Sequence, residues 1–355
     1  MNIVLRLSAV VFLFLLSCSI SENKSNNNYL LPNATGNDSE MLIVMDSTKF
    51  KNELGRTLIN TFGENIYGLP QPEPYFDLIY IRPRNFNNIL KFVKNIVVAF
   101  TLEGNSFSSK LLRKEFNQES LERIKKDTLL FMIKKKDQYA KGQEILYLFS
   151  RDDETLLNHI KNNKELLRNY FEKKIIQSTS KKIFSKKQHN ISRDLLDKFG
   201  YSISIPYAFN LAKSGSNFVW LREIDLEYEK NIFIYYENYT SEKIFFDKNI
   251  KVLRKKIVEK NLRDIEKPTI YMSYQEELPF QIKEINFNDN YAIETRGLWK
   301  LSDISSGGPF LSYTFVDKKI NRLYYIEGYV YAPGMKKRNL MREIYSILWS
   351  FKLKN

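Results

Sequence analysis

The sequence predicts an α+β fold, with antiparallel sheets covered by amphipathic helices. Three observations carry this. Paired apolar runs around a turn recur at 127–150, 217–239 and 308–332, the pattern of a strand hairpin. Each pair is followed by apolar residues at helical spacing. A hydrophobic content of 43%, with 14% aromatic residues, supplies the core such sheets need.

Element by element, order begins at MLIVM, 41–45, a short buried strand. In STKFKNELGRTLINTF the residues Phe50, Leu54, Leu58 and Phe62 recur every four positions, which predicts a helix capped by Ser47 or Thr48. GLPQPEPYF holds three prolines within five residues and is neither helix nor central strand. It reads either as a docking loop or as a connector that fixes how the first helix meets the sheet. FDLIYI and NIVVAFTL are strands, with a short helix in NFNNILKFV between them. The pair at 127–150 turns near Tyr139 to Gly142 and is followed by a helix with Leu156, Ile160, Leu167, Tyr170 and Phe171 on one side. After the pair at 217–239 the helix carries Ile250, Leu253, Ile257 and Leu262. After the third pair, Pro333-Gly334 breaks the strand, and Leu340, Ile344, Ile347, Leu348 and Phe351 define the last helix. The lysine-rich, weakly patterned stretch at 178–192 separates two α+β domains or halves, 41–178 and 192–355, with a single continuous sheet as the alternative.

The first residues set location. The apolar run from Leu7 to Leu16 is about half the roughly 20 residues a membrane span requires, and fits a signal-peptide core. Leu15-Leu16-Ser17-Cys18 looks like a bacterial lipobox, and Cys18 is the chain's one cysteine. The expectation is a signal peptide at 1–17, an acylated Cys18, and a Ser/Asn-rich flexible tether over 18–40. An ordinary secretory signal with an incidental cysteine is the alternative. With Cys18 blocked, neither disulfide nor thiol chemistry is available. The three glycosylation sequons, at Asn33, Asn37 and Asn238, are chance matches in an Asn-rich chain.

The formal net charge is +14. Anionic envelope lipid is one partner class such a balance admits. The positive residues are mostly lysines scattered over the length, a pattern of solvated helix faces. Nucleic acid is not expected, because an exported chain does not meet it.

MLIVMD, the helix from Phe50, LPQPEPYFDLIYI and RGLWKLSDISSGGPFLSYTFVDKKINRLYYIEGYVYAPGMKKRNLMREI together resemble an uncharacterised lipoprotein family of Bacteroidota, domain-of-unknown-function family 4837. The resemblance extends over nearly the whole mature chain. It implies an envelope lipoprotein and carries no assigned catalytic residue.

Chemistry is sparse. The two histidines, His159 and His189, have no partner histidine at helical spacing, so no zinc set is expected. No phosphate loop or dinucleotide fingerprint is present; neither cofactor nor metal is expected. The candidate surface site is the stretch around Arg296 to Phe310. Alternation places Ile293, Thr295 and Trp299 on one strand face, and Glu294, Arg296 and Lys300 on the other. Gly307, Gly308 and Pro309 add a tight backbone feature. Glu327 shares a face with Glu294 or Asp303 if the hairpin register allows, and a one-residue slip at 317–321 would reverse it. Paired carboxylates there would suit glycan hydrolysis; an ion pair of Arg296 with a carboxylate beside a structural turn is the bland alternative. The functional expectation is therefore a lipid-anchored envelope protein of the outer membrane, facing the periplasm or the surface, with another envelope protein or anionic envelope lipid as its partner. It is expected to be a non-enzymatic binding or accessory module. Lipid or small-ligand binding, and a carboxylate-dependent hydrolase, are the alternatives.

Overall fold

A computed structural model describes residues 31–263, 267 and 269–354. The signal peptide, Cys18 and the tether as far as residue 30 lie outside them. Among the described residues no helix is long and apolar enough to cross a membrane.

The first half is a five-stranded sheet. Its strands are β1 (Glu40–Met45), β2 (Asp77–Ile81), β3 (Asn95–Thr101), β4 (Met132–Lys136) and β5 (Glu144–Ser150), in the order β2-β1-β3-β5-β4. The α+β class holds, and the 127–150 pair is an antiparallel hairpin of β4 and β5. The remaining ladders run parallel, however. Strands β1, β3 and β5 are apolar almost throughout, as strands covered on both faces are. That near-continuous burial was the mark of parallel pairing in the sequence.

Helices α1 (Ser47–Lys51), α2 (Glu53–Phe62), α5 (Asp153–Asn162) and α6 (Lys164–Ile183) cover one face, where Leu54, Leu58, Phe62, Leu156, Ile160 and Phe171 are buried. Helices α3 (Phe107–Arg113) and α4 (Gln118–Lys126) cover the other through Leu112 and Ile124. The expected first helix breaks at Asn52, whose backbone is extended. Its cap is Asp46 rather than Ser47 or Thr48: the carboxylate accepts the Thr48 N–H at 2.8 Å. The expected single helix after β5 likewise divides, at Asn163.

The end of the expected tether is not free. Ala34 donates to the Lys141 carbonyl and Thr35 to that of Phe92, and Ser39 is 2% exposed. Asn/Ser-rich composition predicts a linker, but backbone groups bonded to two loops order this one from Pro32 onward.

The second half contains α7 (His189–Phe199), β6 (Tyr201–Ser202), β7 (Asn210–Ser214), β8 (Phe218–Ile224), β9 (Glu229–Asn238), α8 (Asp247–Asn261), β10 (Met272–Tyr274), β11 (Gln281–Phe287), β12 (Asn290–Leu301), β13 (Gly307–Asp317), β14 (Arg322–Tyr331), α9 (Arg338–Trp349) and β15 (Lys352–Leu353). Its main sheet is antiparallel in the order β10-β12-β13-β14-β9-β8-β7, with β11 also pairing β12. The 217–239 and 308–332 pairs are the hairpins β8–β9 and β13–β14. Helices α7 and α9 pack on one face and α8 on the other. The stretch 178–192 is not structureless: α6 runs into it and α7 begins within it.

The halves touch through α9 and the proline loop. Arg338 reaches Asp77 at 2.6 Å, and Arg342 reaches the Tyr75 carbonyl at 2.9 Å and the Glu172 carboxylate. The Glu73 end of the LPQPEP segment is therefore held against α9, a role beyond fixing how the first helix meets the sheet. Its Glu73 is 2% exposed and faces α9.

Candidate functional site

The β13–β14 register settles the face of Glu327. Asp317 stands opposite Arg322, which places Glu327 opposite Ser312, and Ser312 stands opposite Thr295. Glu327 therefore shares a face with Thr295, and Glu294 points to the other side with Tyr313. The sheet separates these two carboxylates, so Glu294 and Glu327 do not share one site, while Glu294 and Arg296 form the ion pair of the bland alternative.

Each carboxylate has its own cation. On the α9 face Glu294 accepts from Arg296 at 2.8 Å and from the Tyr313 hydroxyl at 2.9 Å. The Trp349 indole donates to that same hydroxyl at 2.9 Å. Burial would lower the Arg296 pKa, yet the Glu294 charge holds it above its ordinary value. Burial pushes the Tyr313 hydroxyl well up, and that of neighbouring Tyr345 up to about 12.

On the α8 face the pair is deeper. Arg254 grips Glu327 with both ends of its fork, at 2.8 and 2.7 Å, and the two side chains are 1% and 0% exposed. The Tyr325 hydroxyl donates to the same carboxylate at 2.6 Å. The guanidinium also lies 4.1 Å from the Phe310 ring centre. Burial opposes the charged form of Arg254, and the Glu327 charge outweighs it, leaving its pKa raised.

Gly307, Gly308 and Pro309 open β13 rather than making a turn, opposite Lys300, Trp299 and Leu298. A Cβ on Gly308 would stand 2.0 Å from the Val330 carbonyl oxygen. The absence of a side chain there leaves room for Trp299, which is 4% exposed, to donate its indole N–H to that oxygen at 3.1 Å. These are core devices, not surface groups.

Two other places gather polar side chains. In the first half the strand order reverses direction between β1 and β3, where open parallel sheets commonly bind ligands beyond their carboxyl ends. Here Asp46, Lys49, Thr101, Ser106 and Asp153 converge. Lys49 donates to Thr101 at 2.7 Å and pairs with Asp153, while Ser106 donates to Asp46. Burial would raise the Asp46 pKa, but the bonds from Ser106 and Thr48 hold it down. These groups satisfy one another, so the cluster ties the ends of β1, β3 and β5 together.

The second place is a cleft of about 1250 Å³ at one end of the second sheet. It lies between the β11–β12 turn, the β13–β14 turn and β15. Phe246 and Tyr291 line it, 63% and 50% exposed, and Lys318, Lys319, Lys352 and Lys354 stand around it with Asp289 and Asp317.

Comparison with known proteins places the chain. Residues 185–350 match the family described as a domain of unknown function, DUF4837. The second half is a DUF4837 domain. The Glu327–Arg254 pair, α8 and α9 fall within it, as does the cleft apart from its wall at Phe351 to Lys354. Residues 34–184 match a different family, DUF8532, also a domain of unknown function. MLIVMD and LPQPEPYFDLIYI therefore lie in the DUF8532 part, and the resemblance to DUF4837 stops short of the whole-chain extent expected of it. No curated protein matches the chain. Solved structures that match include the Ran-binding protein Mog1p of Saccharomyces cerevisiae, at 7% identity and a TM-score of 0.31, over 44% of this chain and 91% of that one. Human STARD10 matches at 9% identity and 0.20, over 46% and 75%. Likenesses at this level carry no argument about fold or ligand.

Sequence reasoning missed Arg254. The signal was its position: Ile250, Leu253, Ile257 and Val258 define the buried stripe of α8, and Arg254 falls inside it. A charged residue on an apolar stripe requires a buried partner. The histidines proved peripheral. His159 stacks on Phe131 at 4.5 Å and bonds the Thr128 carbonyl; His189 opens α7 at the surface.

Proposed function

We propose that the protein is a non-enzymatic binding or accessory module of the bacterial cell envelope, held at a membrane by lipid on Cys18, and that the cleft of its DUF4837 domain receives another envelope protein. The cleft is the observation that supports binding. At about 1250 Å³ it exceeds the roughly 300–1,000 Å³ of ordinary small-molecule pockets. Exposed aromatic rings within a polar surround match the aromatic enrichment and polar rim of protein interfaces. The position of the sole cysteine supports the anchor.

A photo-crosslinking residue placed at Tyr291, with Leu129 on the first half as control, tests the binding reading in intact cells. A discrete protein adduct from Tyr291 and none from Leu129 is expected. Adducts to lipid alone would favour the lipid-binding reading, and equal labelling at both positions would end the cleft proposal. Mass spectrometry of the mature N-terminus tests the anchor: acylated Cys18 is expected, and a free N-terminus generated elsewhere refutes it.

A further inference from the structure

The α8 face of the second sheet carries a polar feature that the fold leaves incomplete. Thr295, Ser312 and Thr314 are each 0% exposed; the hydroxyls of Thr295 and Thr314 have no hydrogen-bond partner in the protein, and that of Ser312 faces the Tyr325 hydroxyl. They are neighbours. Thr295 stands opposite Ser312 across β12 and β13, and Thr314 lies two residues along the same face. Ser312 in turn stands opposite Glu327, whose carboxylate holds Arg254. Around them the face is apolar and aromatic, with Ile293, Trp299, Phe310, Tyr325 and Tyr329 buried.

A buried hydroxyl without a partner carries the whole cost of its desolvation. Strand geometry gives Thr and Ser no carbonyl of their own turn to bond, as a helix would. The Tyr325 hydroxyl donates to Glu327 and its oxygen still accepts, so it links Ser312 to the ion pair but leaves Thr295 and Thr314 unmatched. Two such groups beside Ser312, next to a buried ion pair, provide the two to four polar contacts by which proteins hold internal water.

We propose that Thr295, Ser312 and Thr314 form a binding site for ordered water beneath α8, extending the Arg254–Glu327 pair into a connected polar network inside an otherwise apolar layer. The site is independent of the cleft and of the lipid anchor. Its consequence is that the hydroxyls hold stability through their guests, rather than costing it.

The sign of a stability change tests this. In the full chain, Thr295→Val and Thr314→Val remove the hydroxyls at nearly constant shape. If water bridges them, each substitution lowers the melting temperature by about 2–4 °C. If the hydroxyls are dry, their removal leaves the melting temperature unchanged or raises it, and the proposal fails. A second measurement needs no judgement about packing. Magnetic relaxation dispersion of water oxygen counts long-lived internal waters, and the double variant is expected to show fewer than the parent while still melting cooperatively. An equal count in both overturns the site.

Discussion

Glu73 caps a helix that begins 265 residues further along the chain: one carboxylate oxygen accepts the Lys337 N–H at 2.7 Å and the other the Arg338 N–H at 2.9 Å. The first N–H groups of a helix have no partner within it, and a negative charge there also faces the positive end of the helix dipole. The cap comes from the DUF8532 half and the helix from the DUF4837 half, so this contact joins two family domains at a buried point. Glu73→Ala should destabilise the chain by about 1.5–3 kcal/mol, the range for hydrogen bonds to charged groups. Glu73→Gln should lose less, because its amide oxygen still caps one N–H. Equilibrium urea unfolding measures both. Equal stability of the parent and Glu73→Ala would show that the cap contributes nothing.

The neighbouring Asp77–Arg338 pair predicts a pH dependence. The hydrogen bond from Arg338 is the largest influence on Asp77; burial opposes it, and the net pKa falls below the ordinary 3.8. A carboxylate depressed by folding contributes stability above its unfolded pKa and loses it as pH falls through the lower folded value. The contribution should therefore be present at pH 5 and fade below about 3.8. Its size is limited by solvent screening, since the Asp77 side chain is 46% exposed. Asp77→Asn should flatten part of the acid decline in urea midpoint between pH 5 and 2. Parallel curves for parent and variant would remove this pair from the account.

Arg254 and Glu327 should behave as a coupled unit. Breaking a buried pair leaves one charge stranded, at a cost of about 3–5 kcal/mol, whereas replacing both partners with apolar groups is often close to neutral. Arg254→Met and Glu327→Leu should each be severely destabilising, and the double variant should recover most of the loss. If the double variant's loss equals the sum of the single losses, the two are not coupled and the pair is incidental to stability.

How much of this was legible in the sequence depends on distance along the chain. The hairpins at 127–150, 217–239 and 308–332 and the apolar stripe of α9 rest on local periodicity, which the residues state directly. The parallel ladders of the first sheet rest on which distant strands meet, and only the unbroken burial of β1, β3 and β5 hinted at them. Glu327 shows the limit most plainly. Its strand was evident, but its face depended on a register fixed by the pairing of Asp317 with Arg322, and its cation sits 73 residues earlier on another element. Glu73 is the same case across the two halves. Composition suggested a loop, and only the fold shows the helix that it caps.

The last prediction concerns α9 as the keystone of the second half. Leu340, Ile344, Ile347, Leu348 and Phe351 are at most 9% exposed, and burying each is worth roughly 1.5–3 kcal/mol. Their sum rivals the roughly 5–15 kcal/mol of net stability of a whole domain. The sheet is shaped to receive them: a Cβ on Gly328 of β14 would come within 2.4 Å of the Ile344 side chain. Deleting everything after Ala332 should abolish cooperative melting, and it should also expose the apolar face of the second sheet that α9 covers. Gly328→Ala is the gentler test of the same contact. It should fold yet lose about 1–3 kcal/mol through overpacking, read as a lower urea midpoint at unchanged slope. A truncated chain that melts near the parent temperature, or a Gly328→Ala variant as stable as the parent, would show that α9 lies lightly on the sheet. Its apolar stripe would then be free to meet a partner.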